Sequence, residues 1–381
     1  MPVPRLRARE VSARRLARHG LTAPLADPTP AGATAATHGI HAQIMSAAEV
    51  SAALRLPGST RQTVREALAA GSLTKTYGPR GTVHLVATDD LALWVGALGA
   101  VPSGSSPFAP DVRLDPGKTD EVVAAIGDAL LTGELTLDEL DAEVVSRAGS
   151  WAGDLVMPAF QGYWPRWRQA VGVAANRGVL VFGADRGRKV TYTHPGRRRP
   201  GFRPAPADEA SAWFLRGYLA AYGPATPEDL ARWNTAPLPW ARALLDSGDT
   251  EPVDVDGRVA LVNAGDTAPT PPGRSVLLLP YFDVLAVGSQ PRERMYPGRA
   301  WERATARGQA GNYPVLLVDG VVLGVWHQRR SGRRIEVTVE TWADLSATRL
   351  RALDRQVGRL GEILEAEPRL TLGEVRVGAH A

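Results

Sequence analysis

The sequence predicts an α+β chain of three tandem winged-helix units followed by a small C-terminal β-barrel or curled sheet closed by a helix. Three observations carry this. A pattern of two helices and a β-rich hairpin recurs three times in the first two-thirds of the chain, structurally rather than literally. From about residue 266 the periodicity changes to short apolar runs between glycine and proline turns. At 381 residues the chain is also too long for one compact core. The expected divisions are 1–110, 111–200, 201–265 and 266–381.

In the first unit a small-residue helix begins at Ile44 and runs to Leu54, with His38, His41 and Gln43 in its first turn. Ser59 or Thr60 caps a second helix with Val64, Ala67 and Leu68 on one face, and Gly71 ends it. The run LTKTYGPRGTVHLV then alternates around a Gly-Pro-Arg-Gly turn, the mark of a two-stranded wing. After the loop 101–117, the second unit has helices over TDEVVAAIGDALL, TLDELDAEVVSRAG and PRWRQAVGVAANRG, and the hairpin VLVFG and KVTYTH. The third has helices over ADEASAWFLRGYLAAYG, TPEDLARW and PLPWARALLDSG, then the strand pair EPVDVDGRVALV. Thr226, Pro227 and Asp229 form a helix start with proline at the first helical position. In the last module SVLLLPYFDVLAVG, YPVLLVDG, VVLGVWHQR and RRIEVTVETW read as β-rich runs, and LSATRLRALDRQVGRLGEIL as the closing helix.

Composition excludes several classes. No apolar run approaches the ~20 residues of a membrane span, and the basic N-terminus lacks the apolar core of a secretory signal. The chain has no cysteine, which excludes disulfides and thiolate metal sites and points to the cytoplasm. Net charge is +4 and only three of the 44 basic residues are lysine, namely Lys75, Lys118 and Lys189. Arginine's planar fork suits phosphate and guanine edges, which makes nucleic acid a natural partner. A GC-rich genome produces the same bias without function.

His41 and Gln43, two residues apart at a helix start, can converge on one small ligand such as a water, or can simply be exposed polar residues. A metal at His38, His41 and His84 lacks a further ligand at diagnostic spacing. Arg80 at the wing tip can reach a phosphate or a minor groove, while Thr82 and His84 share a face of the returning strand. Arg197, Arg198 and Arg199 in a linker, and Arg329, Arg330, Arg333 and Arg334 on a hairpin, can follow a phosphate backbone; charge runs are also often only solvated faces. No GxSxG elbow, P-loop or HExxH is present, so hydrolase, NTPase and zinc-protease readings have no anchor. The lysines fall in wings or loops without a desolvated pocket, so a Schiff-base lyase is disfavoured and water is the expected nucleophile.

The segments GIHAQ, RGTVHLV, LLLPYFDVLAVG and PVLLVDGVVLGVW, spread along nearly the whole chain, together resemble the AlkZ/YcaQ family of bacterial DNA glycosylases. The resemblance implies a C-shaped cradle of three winged helices and a β-barrel around duplex DNA. It implies an enzyme that excises alkylated purines, including bulky N7 adducts and some interstrand crosslinks. With the lysines disfavouring a lyase, the expected enzyme is monofunctional and needs no cofactor, and a monomer is expected because a pseudo-repeated cradle already supplies an extended surface. The family signature is Gln, an aliphatic residue, then Gln or Asp; here it reads His41-Ala42-Gln43. Gln43 then carries over as the residue holding the attacking water. His41 would hydrogen-bond that water, act as a weak base or contact a phosphate. His84 and Asp283 would support the site, and Arg61, Arg80 and the two arginine clusters would hold DNA. The competing reading is a non-catalytic DNA-binding regulator, which has no evident need for the His41–Gln43 pair.

Overall fold

In the computed structural model, residues 3–102, 104, 108–159 and 162–378 are described. The loop 101–117 includes residues 103 and 105–107, which lie outside that set.

One local topology occurs three times. In the first instance the short strand Ile40–His41 precedes helices Met45–Leu54 and Arg61–Ala69 and the hairpin strands Leu73–Tyr77 and Val83–Ala87. The short leading strand pairs antiparallel with the last one, so the last strand lies in the middle of the sheet. The second instance repeats this with Leu135–Thr136, helices Leu137–Ala148 and Val171–Asn176, and strands Val181–Phe182 and Thr191–Thr193. In the third, the leading strand shrinks to a bridge between Ala225 and Leu261, followed by helices Pro227–Asn234 and Leu238–Ser247 and the hairpin Thr250–Val255 and Arg258–Asn263. The Thr226 start is observed: its side chain accepts from the Asp229 N–H, and Asp229 accepts from the Thr226 N–H.

The N-terminal residues, grouped with the first unit by the sequence, pair elsewhere. Arg5–Leu6 runs parallel to Asp254–Val255 of the third hairpin. The following helix, Ala8–Arg18, buries Arg14 and Arg15. Arg15 donates to the carbonyls of Gln290, at 2.8 Å, and Pro224, at 3.2 Å. Its charge is used to hold backbone together inside the fold.

Beyond Val276 lies a five-stranded sheet in the order Val276–Leu279, Val315–Val318, Val321–Ser331, Arg334–Thr341, Glu367–Leu372, with the last pair parallel. Its first and last strands are edges, so where the sequence predicts a barrel the described residues form a half-barrel sheet. Helix Ala347–Leu364 closes one face, where Leu353, Val357 and Leu360 share a core with Leu278, Trp326 and Val337. Val50 and Ala53 of helix Met45–Leu54 enter the same core, so the C-terminal module is one wall behind the first unit. One predicted β-run is corrected here. After Leu279 the segment DVLAVG turns helical over Val284–Gly288, because Pro280 has no N–H for a ladder and Asp283 caps the helix by accepting from the Leu285 N–H at 3.0 Å.

Candidate active site

His38, His41 and Gln43 do not form the first turn of a helix. His38 and Gly39 take positive φ values of 53° and 88°, which separates helix Pro30–Ala36 from the strand Ile40–His41. The next helix starts only at Met45, with Ile44 in the cap position and no side-chain cap bond. At the corresponding place the second and third repeats carry Thr136 and Thr226, each with a reciprocal capping box. A missing cap costs about 1 kcal/mol. The first repeat therefore forgoes local stability where the triplet stands, the kind of inconsistency found at functional sites.

The triplet is held instead by residues 82–84. His41 lies opposite His84 in the sheet. The Ala42 N–H donates to the Val83 carbonyl at 2.7 Å, and the Val83 N–H donates to Gln43 Oε1 at 3.4 Å. His41 Nε2 is 3.0 Å from Thr82 Oγ1. From the other side Phe282 stacks on the His41 ring, with centroids 5.3 Å apart and planes 15° apart, while His84 lies at 4.7 Å. Phe282 has a φ of 52°, a left-handed conformation that a bulky residue holds only under constraint. The segments GIHAQ, RGTVHLV and LLLPYFDVLAVG thus meet at one point.

Hydrogen-bond logic assigns the imidazole's tautomer. Thr82 has one hydroxyl proton and donates it to the Pro79 carbonyl at 2.9 Å. Its oxygen then accepts from His41 Nε2–H, which leaves Nδ1 as a lone-pair acceptor. Nδ1 is buried and has no partner among the described residues. Burial, and secondarily the charge of Arg80, lower the His41 pKa to about 3. The ring is neutral at physiological pH, which removes the cationic phosphate contact from its candidate roles. Gln43 is exposed, so an open carboxamide stands two residues from a dry, neutral imidazole.

Buried histidines carry a consequence for stability. Burial first of all lowers His19, His38 and His41 to about 3. His38 sits among Trp94, Trp213, Phe214 and Trp233 rather than in any polar site. Between pH 3 and the unfolded value near 6.5 the unfolded chain binds protons that the folded rings refuse. The stabilisation is complete above about pH 6.5 and falls as pH drops, by up to about 1.4 kcal/mol per unit per residue. The melting temperature is expected to be clearly lower at pH 5 than at pH 7; equal values would show that these rings are not held neutral.

Beneath the site, Asp283 and Arg55 form a fully buried ion pair. Arg55 Nη1 and Nη2 donate to the two carboxylate oxygens at 2.9 and 3.0 Å, and Ser51 Oγ donates at 2.7 Å. Burial alone would raise the Asp283 carboxyl, but the Arg55 charge and the bonds from Arg55 and Ser51 outweigh it and hold the group below its usual value. This pair ties helix Met45–Leu54 to the turn that carries Phe282. Arg55, Ser51 and Phe282 were not singled out from sequence, although Ser51 and Arg55, four apart in a helix of small residues, were a readable signal.

The arginines divide. Arg80, expected free at a wing tip, turns inward: it donates to the Trp233 carbonyl at 2.5 Å and lies over that ring. Arg197 donates to the Leu131 carbonyl, Arg198 is 3.9 Å from Glu134, and Arg199 bonds the Thr88 carbonyl and Asp89. This linker fastens the first and second repeats, and each of its exposed arginines spends part of its guanidinium on a partner within the chain. Arg61 pairs with Glu365, Arg330 donates to the Leu364 carbonyl, and Arg334 pairs with Glu367. The Arg329 and Arg333 side chains are exposed on the hairpin, with no side-chain hydrogen bond or ion pair assigned among the described residues, although the Arg333 carbonyl accepts from the Glu367 N–H. Arg329→Ala/Arg333→Ala is therefore expected to reduce the salt slope of duplex binding by up to about 2, more than alanine at 197–199 does. An unchanged slope in the double variant would show that the hairpin is not a phosphate contact.

None of the three lysines joins the site. Lys75 is half-buried rather than free in a wing, with Nζ 4.6 Å from the Phe182 ring centroid, and burial lowers its pKa. It pairs in register with Leu85, whereas His84 pairs with Thr76 and His41, so it projects from the opposite face of the sheet. Lys118 lies in helix Pro116–Thr132 over Trp151, and Lys189 pairs with Asp138.

Comparison with known proteins agrees along the chain. The family described as DNA glycosylase AlkZ-like matches residues 34–363. The interstrand DNA cross-link repair glycosylase of Streptomyces sahachiroi is 32% identical over 331 residues, 84% of this chain and 87% of that protein. The structure of Streptomyces sahachiroi DNA glycosylase AlkZ superposes with a TM-score of 0.81 at 27% identity, covering 97% of this chain and 100% of that one.

Proposed function

The chain belongs to the AlkZ-like DNA glycosylase family, and we propose that it hydrolyses the N-glycosidic bond of alkylated purines in duplex DNA, with Gln43 holding the attacking water and His41 accepting a hydrogen bond from it. Family membership makes it a hydrolase of N-glycosyl bonds; the lesion and the residues are the proposal. The observation that carries it is the clamp of residues 82–84 on the triplet, which leaves His41 Nδ1 as a buried acceptor without a partner among the described residues, two residues along the chain from the exposed Gln43.

These mild groups match the chemistry. An N7-alkylated purine is cationic and already a good leaving group, so no strong acid is required. The remaining work is to orient water and stabilise an oxocarbenium-like sugar, which positioning and electrostatics supply. The three repeats are read as winged-helix units that present the site to duplex DNA. Because the Streptomyces relative is named for cross-link repair, interstrand crosslinks are included among the substrates to be tried.

Incubation with a duplex carrying one N7-methylguanine, followed by alkaline strand cleavage, tests this. Scission at the lesion is the expected result. Binding without scission, for this lesion and for a crosslink, would favour the regulator reading.

A further inference from the structure

A recess of about 220 Å³ opens beside the triplet, between the start of helix Met45–Leu54 and the C-terminal sheet. Ile44, Ala47 and Val50 line one wall, and Tyr281, Trp326 and Gln328 line the other. Ile44 adjoins Gln43 in the chain, and Tyr281 adjoins Phe282, which stacks on His41. The Trp326 ring is anchored by its Nε1–H, which donates to the Leu279 carbonyl at 2.9 Å. Gln328 Oε1 is buried and lacks a hydrogen-bond partner among the described residues.

We infer that this recess receives the base ring of an N7-alkylguanine displaced from the duplex during excision, an inference that rests on the glycosylase reading of Gln43 and His41. Three properties select that occupant. The volume suits one base ring and not a whole nucleotide. The walls are mainly apolar, with the Tyr281 and Trp326 rings among them and Ser46 and His327 as further polar lining, and an anchored indole attracts a flat cationic ring. The unpartnered Gln328 oxygen is a hydrogen-bond acceptor in a dry place, and the guanine edge offers it two adjacent donors, N1–H and the 2-amino group, where adenine offers only its 6-amino group beside an unprotonated N1. Because Ile44 lines the recess and follows Gln43 in the chain, a displaced base held there would have its glycosidic bond near Gln43, as enzymes acting on single bases require.

The test uses two variants and a lesion that stays intact. Ala47→Phe fills the recess, and Gln328→Leu removes the acceptor at similar size. The probe is a duplex carrying 2′-fluoro-N7-methyl-deoxyguanosine, whose fluorine resists glycosidic cleavage, compared with the undamaged duplex. The parent is expected to prefer the lesion by at least about tenfold. Ala47→Phe should bring that ratio close to one, and Gln328→Leu should reduce it several-fold, with affinity for undamaged DNA unchanged. A parental ratio retained in either variant with a native circular dichroism spectrum, or a parent that binds both duplexes alike, overturns the inference. Cleavage of ordinary N7-methylguanine DNA by the parent is scored separately. Cleavage with ratios unchanged in the variants keeps the active site and rejects the recess; no cleavage with ratios lost does the reverse.

Discussion

Asp283→Ala is expected to destabilise the protein by about 3 to 5 kcal/mol and to abolish excision. The substitution strands the Arg55 guanidinium, which is fully buried with Asp283 as its carboxylate partner, and removing one member of such a pair costs far more than the pair contributes. It also removes the cap on Val284–Gly288 and the acceptor for Ser51. The turn that carries Phe282, the ring stacked on His41, then loses its tie to helix Met45–Leu54. Urea denaturation measures the first effect and single-turnover excision the second. Replacing both partners by apolar residues, as in Arg55→Met with Asp283→Leu, should recover much of the stability without restoring the cap. An Asp283→Ala protein that unfolds at the parental urea concentration would mean that the pair is not what joins helix Met45–Leu54 to the C-terminal module.

The parts of this fold that were legible in the sequence are those settled by local chemistry. Helix starts at Thr60 and Thr226, the Gly71 stop and the hairpins at 73–87, 181–193 and 250–263 follow from caps, turns and alternation. What was not legible depends on contacts distant in the chain. The strand Ile40–His41 is two residues long and exists because residues 83–85 pair with it; alone, it reads as the front of a helix. Arg80 and Arg199 carry the composition of phosphate contacts, yet their partners are the Trp233 carbonyl and Asp89. The hairpin Leu155–Ala159 with Gly162–Pro165 carries no such local signal, and the choice between a barrel and a curled sheet stays open in the sequence because strand count does not reveal whether the edges meet. For the candidate site, the sequence pointed to His41, Gln43, His84 and Asp283. The neutrality of His41 was hidden, since it arises from burial and from Arg80 folding inward.

Gln43→Ala is expected to slow excision of an N7-alkylguanine by roughly 10 to 1000-fold, the loss that follows removal of one positioning or electrostatic contact. Gln43 is exposed and accepts one long hydrogen bond from the Val83 N–H, so its truncation should leave fold and duplex affinity nearly intact. His41→Ala should slow the reaction as well. With its pKa lowered to about 3, the imidazole is neutral throughout the working range, so the parental rate is expected to stay flat from pH 8 to about pH 5 wherever the protein is folded. A fall through pH 6.5 would show an imidazole titrating in contact with solvent. His41→Gln restores the family's more usual triplet and should keep substantial activity, because a carboxamide can both donate to Thr82 and accept from water.

The measurement that bears most directly on the account is single-turnover excision of N7-methylguanine from duplex DNA by the parent, Gln43→Ala and His41→Ala, each at saturating protein, with affinity for undamaged duplex measured in parallel. The account predicts an active parent and two slowed variants of unchanged affinity. Parental rates in both variants would contradict it and place the catalytic residues elsewhere in the molecule.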